Sequence, residues 1–232
     1  MTLEQFKQSS AKIGYKLSEA QVNAFVKYMR LLKEENKKVN LTAINEDNEI
    51  LKKHFYDSIL LAPYLDINKS LLDIGSGAGF PGIPLAIIRP DLKITLLEPT
   101  KKRVRFLLLV KERLNLDNIE VVNDRAEDYA KVAREMFYYT TARAVANMQI
   151  LAELALPLTS VNGTFLAMKG SDIYEEVNAA KKAITLLGGV LSKVDEYSLH
   201  NGDMRSIVKV NKIKQTPINY PRLYSQIKKR PL

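Results

Sequence analysis

Leu71-Leu-Asp-Ile-Gly-Ser-Gly-Ala-Gly-Phe-Pro-Gly-Ile-Pro-Leu-Ala86 is the stretch that decides the fold. An apolar run ends in Asp73, and glycines follow at 75, 77, 79 and 82 before an apolar helical pattern resumes. The pattern predicts a buried strand, a tight turn and a helix entered through Pro81 or Pro84. Proline suits a first helical turn because its missing N–H costs nothing there and its φ is already set. A plain strand-to-helix turn needs one glycine at most, so this backbone must turn sharply or meet a ligand closely. In an open α/β sheet, the turn at the carboxyl end of the first strand is where a nucleotide-like cofactor binds.

Outward from that turn, strands alternate with helices. The pattern predicts strands at 70–74, 93–98, 119–123, 137–142, 163–168, 190–197 and 206–212, and helices at 81–88, 101–114, 126–132, 147–157 and 173–187. Such alternation implies parallel βαβ units in a doubly wound α/β sheet. The last two strands have no helical stretch between them, and Leu199-His-Asn-Gly-Asp203 reads as a hairpin turn. Toward the N-terminus, residues 3–13 form a short amphipathic pattern ending at Gly14. Ser18-x-x-Gln21 has capping-box form and opens a stronger helix with Val22, Phe25, Val26, Met29 and Leu32 on its apolar face. Asn45 to Glu49 offers acceptors for the start of a third helix, which runs on to Pro63. Residues 1–65 are expected to be a helical cap, too small to stand alone, on a domain spanning 66–232.

Lys and Arg number 35 against 26 Asp and Glu, a formal charge of +9, which favours a polyanionic partner. No cysteine is present, so a disulfide, a thiolate metal site and a cysteine nucleophile are all excluded. No metal is expected. No apolar run approaches the ~20 residues of a membrane-spanning helix, and the first residues lack a signal-peptide pattern. A cytoplasmic protein without a membrane partner is expected; a monomer is compatible with the sequence, which does not fix the oligomeric state.

Gly77-Ala-Gly79-Phe-Pro-Gly82 formally fits the dinucleotide pattern G-x-G-x-x-G. The longer form, Asp73-x-Gly75-x-Gly77-x-Gly79, resembles motif I of S-adenosylmethionine-dependent methyltransferases, whose glycines admit a cofactor that carries no phosphate. A sheet closing on an antiparallel hairpin is the methyltransferase arrangement, whereas a dehydrogenase would need a second mononucleotide-binding half. Glu98, at the end of the second strand, is placed to accept both hydroxyls of a ribose, of either cofactor, or else to serve as an N-cap-like acid before the Lys101 helix. Ala126 and Glu127, after the third strand, are placed to bind an adenine edge. The fourth strand ends in Thr140-Thr-Ala-Arg143-Ala-Val-Ala-Asn147 and lacks the Asn/Asp-Pro-Pro-aromatic motif of enzymes that methylate exocyclic amines. Pyrimidine C5 methylation needs a cysteine. What remains is an oxygen or an atom already nucleophilic, such as guanine N7, whose in-plane lone pair needs no general base.

The basic residues divide into three groups. Lys101-Lys-Arg103-x-Arg105, with Lys111 and Arg113, reads equally as a solvated helix face or an RNA contact. Lys169 lies at the carboxyl end of the fifth strand, pointing into the site. Arg222, Lys228, Lys229 and Arg230 sit in a proline-punctuated tail that reads as an extended arm able to lie on phosphates.

Val39-Asn-Leu-Thr-Ala-Ile44, His54-Phe-Tyr-Asp-Ser58, the motif from Asp73 to Pro84, Ala142-Arg-Ala-Val-Ala146 and Met168-Lys-Gly170 together resemble the RsmG (GidB) family over nearly the whole chain. The resemblance implies a class I, Rossmann-like S-adenosylmethionine-dependent methyltransferase that modifies guanine N7 in 16S ribosomal RNA, with the RNA or the small ribosomal subunit as partner. It implies that Gly75 and Phe80 line the methionine and ribose side, Glu98 the ribose, and Ala126 and Glu127 the adenine. Arg143 would position the cofactor or target base, while Lys169 and Arg222, with Lys229 beside them in the tail, would face RNA. His54 matches a family position, but a lone helical His is more often packed than catalytic. The chain lacks the Trp that the family often has before its Asn in the segment matching Glu35-Asn36. Its tail also lacks the Gly-Thr-Pro usual between Pro-Arg and Pro-Leu. The alternative is methyl transfer to a small molecule or protein.

Overall fold

The computed structural model describes residues 1–200 and 202–232. In chain order its elements are α1 (Leu3–Lys12), α2 (Glu19–Asn36), α3 (Asp47–Glu49), a π-helical stretch Ile50–Tyr56, α4 (Asp57–Ile59) and a 3-10 turn Ala62–Tyr64. Next come β1 (Ser70–Ile74), α5 (Gly82–Ile88), β2 (Lys93–Leu97), α6 (Lys101–Leu114), β3 (Ile119–Val122), α7 (Ala126–Tyr129) and β4 (Phe137–Arg143). The chain ends with α8 (Met148–Ala155), β5 (Thr159–Lys169), α9 (Tyr174–Leu186), β6 (Gly189–Ser198), β7 (Met204–Lys212) and α10 (Tyr224–Lys229). The strands form one sheet in the order β3-β2-β1-β4-β5-β7-β6. β2 and β3 pair in parallel, as do β1 with β4 and β4 with β5; β7 is antiparallel to both β5 and β6. The expected mostly parallel sheet closed by an antiparallel hairpin is therefore the observed fold. Its strand order reverses between β1 and β4, the switch point at which such sheets bind ligands. At the hairpin turn Leu199 N–H donates to the Asp203 carbonyl; Asn201, inside the predicted turn, lies outside the described residues.

Two compact units are distinguishable, Met1–Lys69 with Ser76–Asn123, and Ser70–Gly75 with Asp124–Leu232. In the first, α1 and α2 both start with capping boxes. Thr2 and Gln5 exchange backbone bonds at 3.2 and 2.8 Å, as do Ser18 and Gln21 at 3.2 and 3.0 Å. A cap of this kind stabilises a helix by about 1 kcal/mol. The buried residues of α2 are Phe25, Tyr28 and Leu32, so the packed face is turned from the predicted one. Aromatic rings cause the turn. Phe6, Phe25, Tyr28, Phe55, Phe80 and Phe106 form one cluster, with centroids 5.0 Å apart for Phe6–Phe25 and 5.1 Å for Tyr28–Phe55. Each such pair adds about 0.5–1.5 kcal/mol beyond area burial.

The third predicted helix forms, but Ile50–Tyr56 within it is π-helical. Within the stretch from Asn45 to Glu49, Glu46 takes the N-cap position without a side-chain cap bond. Asn45 is used elsewhere, accepting from Asn36 Nδ2 at 2.8 Å. Arg89 is buried and ties the turn before β1 in place, donating to the carbonyls of Ala62 and Leu65 at 3.2 and 2.8 Å and to Asp91 at 2.6 Å.

In the second unit β5 begins at Thr159, earlier than predicted. Gly163 is interior to it, because a Cβ there would come within 2.4 Å of the Tyr138 carbonyl oxygen. α7 is shorter than predicted, ending at Tyr129. The larger correction concerns the tail, which is not an extended arm. Residues 224–229 are helical, Ile227 is buried, and Arg222 forks onto the fully buried Glu153 at 2.8 and 2.6 Å. Arg134 donates to the carbonyls of Thr216, Pro217 and Tyr220, and Gln149 to that of Leu232. Lys212 is fully buried; burial pushes its ammonium pKa down, against Glu135 at 3.0 Å, which raises it.

Candidate functional site

In the first unit the site is built by the loop from Ser76 to Phe80 and by Glu98. β2 is buried from Ile94 to Leu97, which carries the following Glu98 carboxylate inward, where it is 1% exposed. A buried charge must be paid for with hydrogen bonds. Glu98 Oε2 accepts the Gly77 N–H at 2.9 Å, Oε1 accepts the Thr100 N–H at 2.8 Å, and Arg103 stands 3.9 Å away. Asn123 Nδ2 fixes the same corner through the carbonyls of Glu98 and Pro99. A carboxylate has about four acceptor positions, so two remain for a vicinal diol. The remaining acceptor positions fit the hydroxyls of a ribose.

The loop amides separate two classes of cofactor. Ser76 N–H donates to the Leu97 carbonyl at 3.2 Å, Gly77 N–H to Glu98, and the N–H groups of Gly79 and Phe80 both to the Ser76 carbonyl, at 2.7 and 3.0 Å. A pyrophosphate site needs these groups pointing at the ligand. Here they are consumed internally, and a carboxylate occupies one of them. The loop is made for a ligand without phosphate, which disfavours the dinucleotide reading of Gly77 to Gly82. Gly79 is held at φ +96°, where an added Cβ would lie 2.3 Å from Ile83 Cδ1 and 2.9 Å from the Tyr28 hydroxyl. That hydroxyl donates to the Ala78 carbonyl. Phe80 is buried and stacks on His54 at 4.5 Å, while His54 shares a 2.8 Å hydrogen bond with the Thr42 hydroxyl. His54 is thus packed between the Phe80 ring and the Thr42 hydroxyl.

In the second unit Asp73 is fully buried near the end of β1. Gly75, at φ +69°, faces Val145, whose Cγ2 would be 2.9 Å from an added Cβ. Arg143 closes β4 and is half-buried. Ala126 and Glu127 are both buried at the start of α7. The Arg125 guanidinium donates to Glu127, whose hydrogen bond raises the pKa of Arg125, and it lies 4.5 Å from the centre of the Tyr224 ring.

The cations expected to face RNA fare differently. Lys169 is only 12% exposed on its side chain, donates to the Ala146 carbonyl at 2.7 Å and lies 2.5 Å from Glu176, which also accepts the Met148 N–H. Its charge pins the segment between β4 and α8. Arg222 spends its charge on Glu153, whereas Lys229 is exposed on α10. Sequence reading missed Tyr28, Asn123 and Arg125. Phe25, Tyr28 and Leu32 share helical spacing, so a 3–4 period with tyrosine counted as apolar finds the first; nothing local marks the other two.

Among the described residues, no helix is long and apolar enough to cross a membrane. The sequence model of the GidB family, described as rRNA small subunit methyltransferase G, matches residues 21–207. The chain is 45% identical over 230 residues to "Ribosomal RNA small subunit methyltransferase G" of Clostridium botulinum (strain Eklund 17B / Type B), covering 97% of this chain and 96% of the relative. It is 46% identical over 237 residues to the protein of that name from Streptococcus sanguinis (strain SK36), covering 100% of each. Among solved structures it resembles M. jannaschii TYW2 in complex with AdoMet, with a TM-score of 0.56, 16% identity, and 68% and 75% of the two chains covered. The 16S rRNA (adenine(1408)-N(1))-methyltransferase of Catenulisporales acidiphilia gives 0.55 at 11% identity, covering 64% and 87%. At such identities the structures bear on the fold alone.

Proposed function

This chain belongs to the GidB family, rRNA small subunit methyltransferase G, and from that premise we propose that it methylates N7 of a guanine in 16S ribosomal RNA. It is an S-adenosylmethionine-dependent rRNA methyltransferase. The rRNA substrate rests on the family match over residues 21–207, and the cofactor is supported by the loop after β1, whose amides are internally bonded and whose neighbouring acid keeps acceptor positions for a diol.

When bound, S-adenosylmethionine supplies a methyl group on a positively charged sulfur. In our reading Asp73, Gly75, Gly77, Gly79 and Phe80 receive its amino acid and ribose portions, and Glu98 accepts from the ribose hydroxyls. Ala126 and Glu127 hold the adenine, with Glu127 fixed by Arg125. Arg143 positions the cofactor or the target base from the end of β4. Guanine N7 has no proton to lose, so no residue is assigned as general base; the protein contributes alignment and exclusion of water. Lys229 keeps its role toward RNA. Lys169 and Arg222 are assigned instead to holding the segment before α8 and the tail, because their charges are committed to Glu176 and Glu153. In our reading the protein acts in the cytoplasm, on 16S ribosomal RNA or on the small subunit.

The test is transfer of labelled methyl from S-adenosylmethionine to small-subunit particles lacking their own modification, followed by digestion to nucleosides. Label in 7-methylguanosine is expected. Label in another nucleoside overturns the base assignment, and label only in protein or a small molecule overturns the substrate.

A further inference from the structure

In the first unit a cavity of about 340 Å³ is lined by Lys38, Val39, Asn40, Thr100, Lys102 and Arg103. We propose that this groove seats the sugar-phosphate backbone of a single-stranded segment of the ribosomal RNA; the inference rests on the function proposed above. Three cations line the groove and no acid does. Lys38 and Lys102 are exposed, Lys38 keeping one ion pair with Glu35 at 2.7 Å. Asn40, also exposed, adds a neutral donor and acceptor, and Val39 an apolar surface for a ribose or base. The volume exceeds what a lone phosphate needs. A mixed lining of cations, one amide and one apolar side chain suits a nucleotide.

Both walls are fixed before any ligand arrives. Asn36 Oδ1 accepts the N–H groups of Leu41 and Thr42 at 2.8 and 3.0 Å, and its Nδ2 donates to the Thr42 carbonyl at 2.8 Å, so the segment carrying Lys38 to Asn40 is held at one end. The facing wall is tied down by the Thr100 N–H on Glu98 at 2.8 Å. Preformed walls lower the ordering cost of binding. The first turn of α6 carries Lys101, Lys102 and Arg103 and no acid, against the sign that a helix start prefers. Fold stability alone gives no reason for that arrangement, and a polyanion laid across it offsets the repulsion. Arg103, 3.9 Å from Glu98, joins the groove to the acid assigned to the ribose. A strand held here lies beside that acid, where a target nucleotide must come.

The test uses the full chain and protein-free 16S ribosomal RNA, with binding measured across a salt series. The variants are the double substitution Lys38→Ala/Lys102→Ala and the single substitutions Lys102→Arg and Asn40→Ala. The double variant is expected to bind RNA about tenfold more weakly at low salt, and its salt slope to fall by about 1.4, since each phosphate contact on a single strand contributes about 0.7. Lys102→Arg should keep the slope, and Asn40→Ala should weaken binding without changing it. Affinity for S-adenosylmethionine should be unchanged in all three. The double variant should melt close to wild type, because both side chains are exposed and a surface pair such as Lys38–Glu35 contributes little to stability. An unaltered slope in the double variant, with wild type still methylating rRNA, overturns the groove alone. Displacement of RNA by inorganic phosphate at matched ionic strength reduces it to a small-anion site. If wild type neither binds nor methylates rRNA, the proposed substrate fails and the groove's occupant with it.

Discussion

Replacing Glu98 by Gln tests the cofactor site at its most constrained atom pair. The carboxylate takes the Gly77 N–H on one oxygen and the Thr100 N–H on the other, at 2.9 and 2.8 Å, while 1% exposed. An amide of the same shape has one oxygen, so whichever way it is turned its NH₂ meets a backbone donor. One buried N–H is left unsatisfied, at a cost of about 1–3 kcal/mol. For a chain of this size 1 kcal/mol corresponds to about 2–4 °C in Tm, so the ligand-free variant should melt roughly 2–12 °C lower. The ribose loses in addition a charge-assisted acceptor worth about 1.5–3 kcal/mol, which corresponds to S-adenosylmethionine binding about 10- to 100-fold weaker. Melting curves without ligand and calorimetric titration with S-adenosylmethionine read the two effects separately. A variant that melts with wild type and binds the cofactor equally well would refute both the hydrogen-bond accounting and the ribose assignment.

Three other outcomes are expected. Arg143→Ala should abolish methyl transfer while leaving the circular dichroism spectrum and the melt unchanged; retained turnover removes it from the site. Arg222→Ala strands the fully buried Glu153 and should cost about 3–5 kcal/mol in urea denaturation, with most of the loss recovered in the double variant Arg222→Met/Glu153→Leu. Loss without recovery would mean that the tail is held by something other than this pair. The Arg89 hydrogen bond holds the Asp91 carboxyl below its ordinary 3.8. Its stabilisation is therefore present above that value and is lost as pH falls through the lower folded-state pKa. Asp91→Asn should accordingly be less stable than wild type at neutral pH and converge with it in strong acid. A constant gap down to the lowest pH would show that the loss comes from something other than that carboxyl's charge.

What the sequence made legible was local. The Ser18–Gln21 box, the glycine turn and the order of strands and helices from residue 70 to 212 each depend on neighbours within a few positions, and each stands in the structure, with shifts at the ends of β5 and α7. Glu98 was legible as an acid ending a strand, but its bond to Gly77 spans 21 residues and has no sequence signature. Distance in the chain also explains the misread tail. Prolines and basic residues describe an arm until Glu153, 69 residues earlier, supplies a buried counter-charge for Arg222. Lys169 is a shorter-range case: its place at a strand end was read correctly, while its pairing with Glu176, seven residues on across the start of α9, has no sequence signature. Helix periodicity placed the segment around residue 55 well enough, but neither its π-helical winding at Ile50–Tyr56 nor the packing of Phe55 on Phe25 and Tyr28 is visible in a local window of sequence.

The internally bonded amides of the glycine loop bear on how the enzyme fares among competing metabolites. Adenine nucleotides abound wherever ribosomes are made, and they share the adenosine half of the methyl donor. A binding site that recognised only adenosine would spend much of its time blocked by ATP, ADP or NAD. Here the backbone donors that would welcome a phosphate chain are already spoken for, and a fixed negative charge holds one of them. In our reading the turn therefore favours the phosphate-free methyl donor over the abundant nucleotides, and the Glu98 carboxylate contributes to that preference.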